Sequence, residues 1–466
     1  MDIQRLILFV ALGLVSMMLM QNWQNHQLQK NPAAIEQGQN SQLNNQAASV
    51  PGVPSAPVLN SEGVPTAVAP SAIPNEPVVT TKGELIKITT DVLSIDIDTL
   101  GGSISYAGLI QHPIKMAVPN DPTVLLQDNA LDRYKAESGL TGAADLALPN
   151  HHTQFSAQKL SYDLGSADSL EVPLSYTGAN GIQYTKIYTF KRDSYRIDVR
   201  YQIQNNSSSP WQGNLYGHLL RTEPSDSGSG SYLTGQTPSF TGGAYYTPEE
   251  LYNKLSFSDM GDEKLEVNAP SGWAAMLQHY FVSAWLPKAD GNYRFYTNSN
   301  TRLANPEYKL GYLDLTPTSI APGQSGEIST ALYIGPKERD RLDAQGIDGL
   351  NLTVDYGWLT VIAEPLFWVM RKIHNVVGNW GWTIILITIL LKAIFLPLSA
   401  ASYKSMAKMK KLAPRLKTLK ERYGDDKPKF QQEMMKVYKE EKVNPAGGCL
   451  PILVQIPVFI ALYWVL

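Results

Sequence analysis

The chain has 466 residues and a formal net charge of -3, with a slightly negative mean hydropathy of -0.18. That balance excludes a chain made of membrane spans alone, because any apolar segments must be diluted by a large polar part. Cys449 is the only cysteine, which excludes an intrachain disulfide or a cysteine-based metal site. The mild charge hides an asymmetry. Residues 400–444 hold 13 Lys/Arg and 6 Asp/Glu, a net of +7, so the remainder carries -10. By the positive-inside rule, 400–444 reads as cytoplasmic.

In chain order, residues 1–20 form an N-terminal apolar segment, with Arg5 just before the run Leu6–Met20. Its length suits a signal peptide or a retained anchor. The following Gln21-Asn22-Trp23-Gln24 lacks a small-x-small cleavage pattern, which favours an uncleaved transmembrane anchor starting in the cytoplasm. Residues 21–80 are rich in Gln, Asn, Pro, Ala and Ser and poor in aromatics. Such a stretch buries too little apolar surface to offset its ordering entropy, so a disordered linker is expected.

From 81 to 345 the pattern turns to short alternating runs. Val92–Asp98 alternates apolar and polar residues before Gly101-Gly102. Tyr184–Phe190 and Tyr195–Ile203 flank Arg192-Asp193-Ser194 as a predicted antiparallel hairpin, and Tyr293–Thr297 and Tyr308–Leu315 repeat the pattern. Many short strands broken by turn residues predict a large β-sandwich, which the first anchor places on the periplasmic side. His151, His152, His218 and His279 are scattered through it without a nucleophile motif, and no phosphate-binding or dinucleotide-binding glycine motif occurs. No catalytic residue, metal site or cofactor is expected.

Residues 357–377 are apolar but interrupted by Glu364, Pro365, Arg371, Lys372 and His374, which predicts an interfacial amphipathic helix rather than a span. Residues 378–399 form the second transmembrane helix. Its run Trp380–Leu398 carries one ionisable group, Lys392. Nineteen helical residues reach roughly 28 Å, close to the hydrocarbon thickness. A lysine at that depth costs about 2.5–3.5 kcal/mol on insertion scales. Two readings stand: the side chain snorkels to the headgroups, or it lines a water-accessible cavity that attracts polar chain segments. Thr388, one turn earlier on the same face, and Gln455 in the third span are candidates for the same cavity. Thr388 bonding its own helix and Gln455 serving helix packing are the plainer alternatives.

After Pro397, residues 400–444 predict an antiparallel helical hairpin. Its seam runs through Met406, Met409, Leu412, Leu416, Leu419 and Tyr423 on one arm and Phe430, Met434 and Val437 on the other. Either it is a solvated loop obeying the topology rule, or its +7 charge meets anionic lipids or ribosomal RNA. Met406, Met409, Lys410, Lys411, Met434 and Met435 are the candidate client or ribosome contacts. Residues 447–466 form a third transmembrane helix, and further membrane helices are expected beyond Leu466.

Several motifs resemble the YidC membrane-protein insertase family: Asp355-Tyr356-Gly357-Trp358-Leu359, Gly378-Asn379-Trp380-Gly381-Trp382, Ser405-Met406-Ala407-Lys408-Met409, Gln432-Glu433-Met434-Met435, Asn444-Pro445-Ala446-Gly447-Gly448-Cys449 and Phe459-Ile460-Ala461-Leu462-Tyr463. The match is dense over about 352–466 and architectural in the β-domain. The resemblance implies a multi-pass α-helical protein of the bacterial inner membrane, with a large periplasmic all-β, supersandwich-like domain and a cytoplasmic helical hairpin. It implies an insertase and chaperone, not an enzyme, that serves nascent membrane-protein clients alone or beside the Sec translocon. The ribosome and anionic lipids are further partners, and no small-molecule substrate is expected. It also implies that Lys392 stands where the family usually has Arg, facing a hydrophilic groove, with Thr388 and Gln455 at polar groove positions. The competing readings are a membrane-anchored periplasmic carbohydrate-binding or epimerase-like sandwich, which would be indifferent to Lys392, and a polar-solute channel or transporter, which would use Lys392 as a substrate site.

Overall fold

A computed structural model describes residues 82–114, 121–142, 148–178, 180–224, 240–356, 359–423, 426–441 and 450–466. The predicted anchor 1–20, the linker 21–80 and the glycine-rich junction 444–448 lie outside these residues. The described residues divide into two compact units, one reaching Asp355 and the other beginning at Tyr356.

The first unit is a two-sheet β-domain, with eleven strands in one sheet and nine in the other. Alternation sets the buried faces. In Leu93–Asp98, Leu93, Ile95 and Ile97 are fully buried while Ser94 and Asp96 are half-buried. Gln183–Lys191 and Arg196–Gln204 pair antiparallel, with the turn residue Asp193 at φ 50. The larger sheet is centred on Arg133–Thr141, which pairs with Trp211–Thr222 on one side and with Pro122–Asp128 on the other. The smaller is centred on Ser325–Pro336, between Phe281–Leu286 and Arg196–Gln204. One core fills the space between the sheets, anchored by Trp211, Trp273 and Trp285. Two short helices, α1 (Phe257–Asp262) and α2 (Arg339–Asp343), decorate the domain.

The turn after Leu93–Asp98 is held from inside. Gly101 has φ +75, and a Cβ there would come within 2.3 Å of the His151 carbonyl oxygen, so no side chain fits. Beneath it, the fully buried Lys186 donates to the carbonyls of Gly102 at 2.8 Å and Gly101 at 3.1 Å, and weakly to Ser138 at 3.4 Å. Its ammonium also faces the rings of Tyr188 and Tyr201, 5.3 and 5.4 Å away.

The second unit is helical: α3 (Thr360–Val377), α4 (Trp380–Tyr423), α5 (Lys427–Glu440) and α6 (Leu450–Val465). Gly378 ends α3 in the left-handed region at φ +69, its N–H donating to His374, and Asn379 then caps α4 by accepting from the Trp382 N–H. The sequence reading ends a span at 399 and opens a hairpin at 400. The structure instead runs both through Pro397 and Pro414 as one 44-residue helix. A proline removes one i→i-4 hydrogen bond and bends a helix without necessarily ending it. Within α4, a window of mean hydropathy 2.4 is long and apolar enough to cross a membrane; α6 contributes a shorter apolar helix, Pro451–Val465. At about 1.5 Å per residue α4 reaches roughly 66 Å, twice a hydrocarbon core. Its last twenty residues carry eight Lys/Arg and one Glu.

Burial pulls the Lys186 ammonium down to about 7, against roughly 10.4 in an unfolded chain. Between those values the unfolded chain holds more protons, so the lysine's destabilising effect is full below pH 7 and fades as pH rises towards 10. We expect Lys186→Met to remove this upward slope. Urea unfolding of the detergent-solubilised protein at pH 7 and pH 9, followed by tryptophan fluorescence, measures the difference; equal slopes in the two proteins would show that Lys186 is not its source.

Candidate functional site

The helical unit buries a small cluster of Met370 from α3, Ile387 and Leu391 from α4 and Leu462 from α6. Ile384, Ile387 and Leu391 follow helical spacing and turn one stripe of α4 into that cluster. The neighbouring stripe carries Thr388 and, one turn on, Lys392. The Lys392 ammonium sits 5.0 Å from the ring centroid of Phe459 on α6, which also packs on the cluster. Lys392 is thus an exposed charge at the seam between two apolar helices, held by an aromatic face.

The other two candidates are not joined to it. The Thr388 hydroxyl donates to its own helix at the Ile384 carbonyl, 2.7 Å away, the plainer of its two readings. Gln455 is half-buried one turn before Phe459, and among the described residues no hydrogen bond links it to Lys392 or Thr388. Phe459 escaped the sequence reading as Lys392's partner, because an aromatic in an apolar span gives no sign of which helix it faces.

The two basic arms touch. Arg415 of α4 pairs with Glu441, just past α5, at 2.5 Å, and Asp426 caps α5 by accepting from the Lys429 N–H at 3.1 Å. Leu412 is buried, while Leu416, Leu419, Phe430 and Val437 are half-buried along the expected seam. Of the candidate contacts, Met409 and Met434 are half-buried; Met406, Met435, Lys410 and Lys411 are exposed. The methionines are therefore divided between the hairpin's own seam and its outer face.

The β-domain holds a cleft of about 660 Å³ whose wall includes Lys135, Glu137, His151, His152, Glu307 and Lys309. The histidines are less scattered than their spacing suggested. Glu137 and His218 lie directly opposite on paired strands, and a loop brings His151 beside them. His218 Nε2 lies 2.8 Å from Glu137 Oε2, and its Nδ1 is 3.1 Å from the Tyr296 hydroxyl. His151 Nδ1 is 2.6 Å from the Tyr216 hydroxyl. His152 packs against His151 with its ring tilted by 43°, whereas His279 takes no part in the cluster. Burial alone would raise the Glu137 carboxyl, but the Lys135 charge and the His218 hydrogen bond hold it well below the usual range. Burial also keeps both imidazoles neutral, taking His151 down to about 2.

Residues 372–466 match the model of the 60Kd inner membrane protein family, and residues 85–369 match that of the YidC periplasmic domain. The chain belongs to the YidC family. The membrane protein insertase YidC of Methylobacillus flagellatus is 45% identical over 471 residues, a match covering 100% of this chain and 81% of that protein. The corresponding insertase of Nitrosococcus oceani is 41% identical over 478 residues, covering 100% and 82%. A galactose mutarotase related enzyme from Lactobacillus acidophilus overlaps 54% of this chain and 97% of its own at 10% identity and a TM-score of 0.37, too distant to bear on chemistry. As a YidC family member this protein is a membrane protein insertase of the inner-membrane type, not an enzyme, and its substrates are membrane-protein clients. The carbohydrate-binding alternative is not favoured.

If the ring of Phe459 holds the Lys392 ammonium, Phe459→Leu should weaken the α4–α6 seam by about 0.5–2 kcal/mol. Titrating the detergent-solubilised protein with a denaturing surfactant checks this. A Lys392→Met background should abolish the effect, which separates the cation–ring contact from simple packing.

Proposed function

We propose that this insertase moves client segments past Lys392, with α4 and α6 as transmembrane helices, the β-domain in the periplasm and the basic arms in the cytoplasm. The supporting observation is the Lys392 ammonium at the α4–α6 seam: the only charge in the apolar run Trp380–Leu398, resting on a ring and, among the described residues, not paired with a carboxylate. A cation left without a counter-ion in an apolar setting favours water and acidic or polar chain nearby. Lys392 then attracts the polar tail of a client, and Thr388 and Gln455 add polar character beside it. The tail exchanges part of its hydration for these groups while the client's apolar segment moves along the helices into lipid. Burial of apolar surface drives the transfer, aided by the membrane potential for acidic tails, and no nucleotide is required.

In this reading residues 1–20 anchor the chain, 21–80 tether the β-domain of 81–345, and 357–377 form an amphipathic helix lying in the periplasmic interface. The span of 378–399, the hairpin of 400–444 and the span of 447–466 then follow. The net charge of +7 on 400–444 suits a cytoplasmic surface that meets anionic lipid headgroups and the ribosome. The exposed Met406 and Met435, with Lys410 and Lys411, form the face that receives a nascent chain, Met409 and Met434 backing it from the seam. Clients enter either directly or from the Sec translocon.

Lys392→Ala should reduce insertion of acidic-tailed single-span clients into proteoliposomes several-fold, while Lys392→Arg keeps it; protease protection of the client is the readout. Equal protection with wild type and Lys392→Ala would end the charge-attraction reading. Separately, deleting 404–442 should lower photocrosslinking of ribosome-bound nascent chains even when the helical unit remains inserted. Undiminished crosslinking would remove the receiving role.

A further inference from the structure

The buried Glu137, His151 and His218 are not used by the client transfer proposed above, yet each offers a ligand atom within 4.8 Å of the other two. Residues of these types occur as three-ligand sets around zinc, two imidazoles and a carboxylate with the fourth position open. We propose that this cluster is a divalent metal site of the β-domain, taking Zn²⁺ through His218 Nε2, Glu137 Oε2 and the His151 Nε2 that Tyr216 leaves free.

Three features support it. First, His151 Nε2 is enclosed and has no hydrogen-bond partner, although His151 is only 4% exposed. A buried polar nitrogen without a partner is uncommon and calls for a ligand. Second, each histidine has its Nδ1 beside a tyrosine hydroxyl, Tyr216 at 2.6 Å and Tyr296 at 3.1 Å. A ligating imidazole needs such an outer partner, which fixes the ring and directs the opposite nitrogen at the ion. Third, Lys135 holds Oε1 of Glu137 at 3.3 Å, leaving Oε2 for a single bond to the ion.

Binding requires no redox step and no bond breaking beyond a proton shift. Without an ion, His218 carries its proton on Nε2 and donates it to Glu137. With the ion, the ring's proton resides on Nδ1 and is donated to the Tyr296 oxygen, and the Nε2 lone pair meets the metal. The three ligand atoms lie within 4.8 Å of one another, and bonds of about 2.0–2.1 Å in a tetrahedron impose ~3.3 Å between them, so His218 Nε2 and Glu137 Oε2, now 2.8 Å apart, open slightly while His151 closes on them. His151 lies in a loop between strands rather than in a ladder, so it is the ligand free to move. Asp128, 3.7 Å from the Lys135 ammonium, offsets that neighbouring charge. Lys309 on the cleft wall still opposes a cation, which favours an ion bound by imidazole over a hard, oxygen-seeking one. The bound ion would pin the loop carrying His151 to the strands Arg133–Thr141 and Trp211–Thr222, with its open position towards the cleft.

The test uses the full chain in detergent, stripped with chelator and titrated with Zn²⁺ against a chromophoric competitor, then with Co²⁺ to read the coordination spectrum. One equivalent bound, with a tetrahedral Co²⁺ spectrum, is expected. His151→Ala and Glu137→Gln should each weaken Zn²⁺ binding by at least about tenfold, while His279→Ala leaves it unchanged. Because His151 is a loop residue, its replacement keeps the strand ladders, and an unchanged circular dichroism spectrum confirms that the fold survives. No stoichiometric binding by the wild type, or binding unaltered in both ligand variants, overturns the proposal.

Discussion

Setting a lysine ammonium among apolar side chains is the constraint that both units have to meet, and they meet it differently. Lys186 is entirely enclosed, so it is given two close backbone carbonyls, a third at longer range and two aromatic faces. Those acceptors belong to Gly101, Gly102 and Ser138, so the side chain links the first turn of the domain to the central strand of its larger sheet, although burying its charge costs stability. Among the described residues Lys392 receives only the ring of Phe459. An ammonium with carbonyl partners is an internal fastener, whereas one with only a ring remains available to something else.

The second constraint is the continuity of α4. A helix about twice as long as a hydrocarbon core must leave it, and the change from one charge in the first half to eight Lys/Arg in the last twenty residues marks where. The Arg415–Glu441 pair then ties the chain leaving α5 back to the same rod. It is an exposed pair of small energetic weight, so the hairpin depends more on the Leu412 seam than on this contact.

What could be read beforehand followed from periodicity and from single anomalies. Alternation marked Leu93–Asp98 and the Gln183–Gln204 hairpin, since a period of two reports burial directly. Lys392 stood out because one charge in an apolar run needs no partner to be noticed. Facts that depend on pairing between distant segments were not legible. Glu137 and His218 are 81 positions apart and become neighbours only through strand register, and His151 reaches them by a loop that carries no periodicity at all. Phe459 was hidden for the opposite reason, its environment being uniformly apolar. Pro397 was read as a boundary because local propensity outweighs context in a sequence, whereas in the folded chain the neighbouring turns carry the helix through.

The helical unit is incomplete as a water-soluble body, which explains why its chemistry is spare. Its central cluster buries only Met370, Ile387, Leu391 and Leu462 fully, while Ile385, Ile389, Ile394, Ile452 and Ile456 lie open on the outside. In water such a surface would aggregate; in a bilayer it is the face that lipid covers. Apolar side chains then gain nothing by being inside rather than outside, so helix association relies on packing and on a few polar groups. Under those conditions the ammonium at the α4–α6 seam, which among the described residues faces a ring and pairs with no carboxylate, weighs more than the same charge would in water.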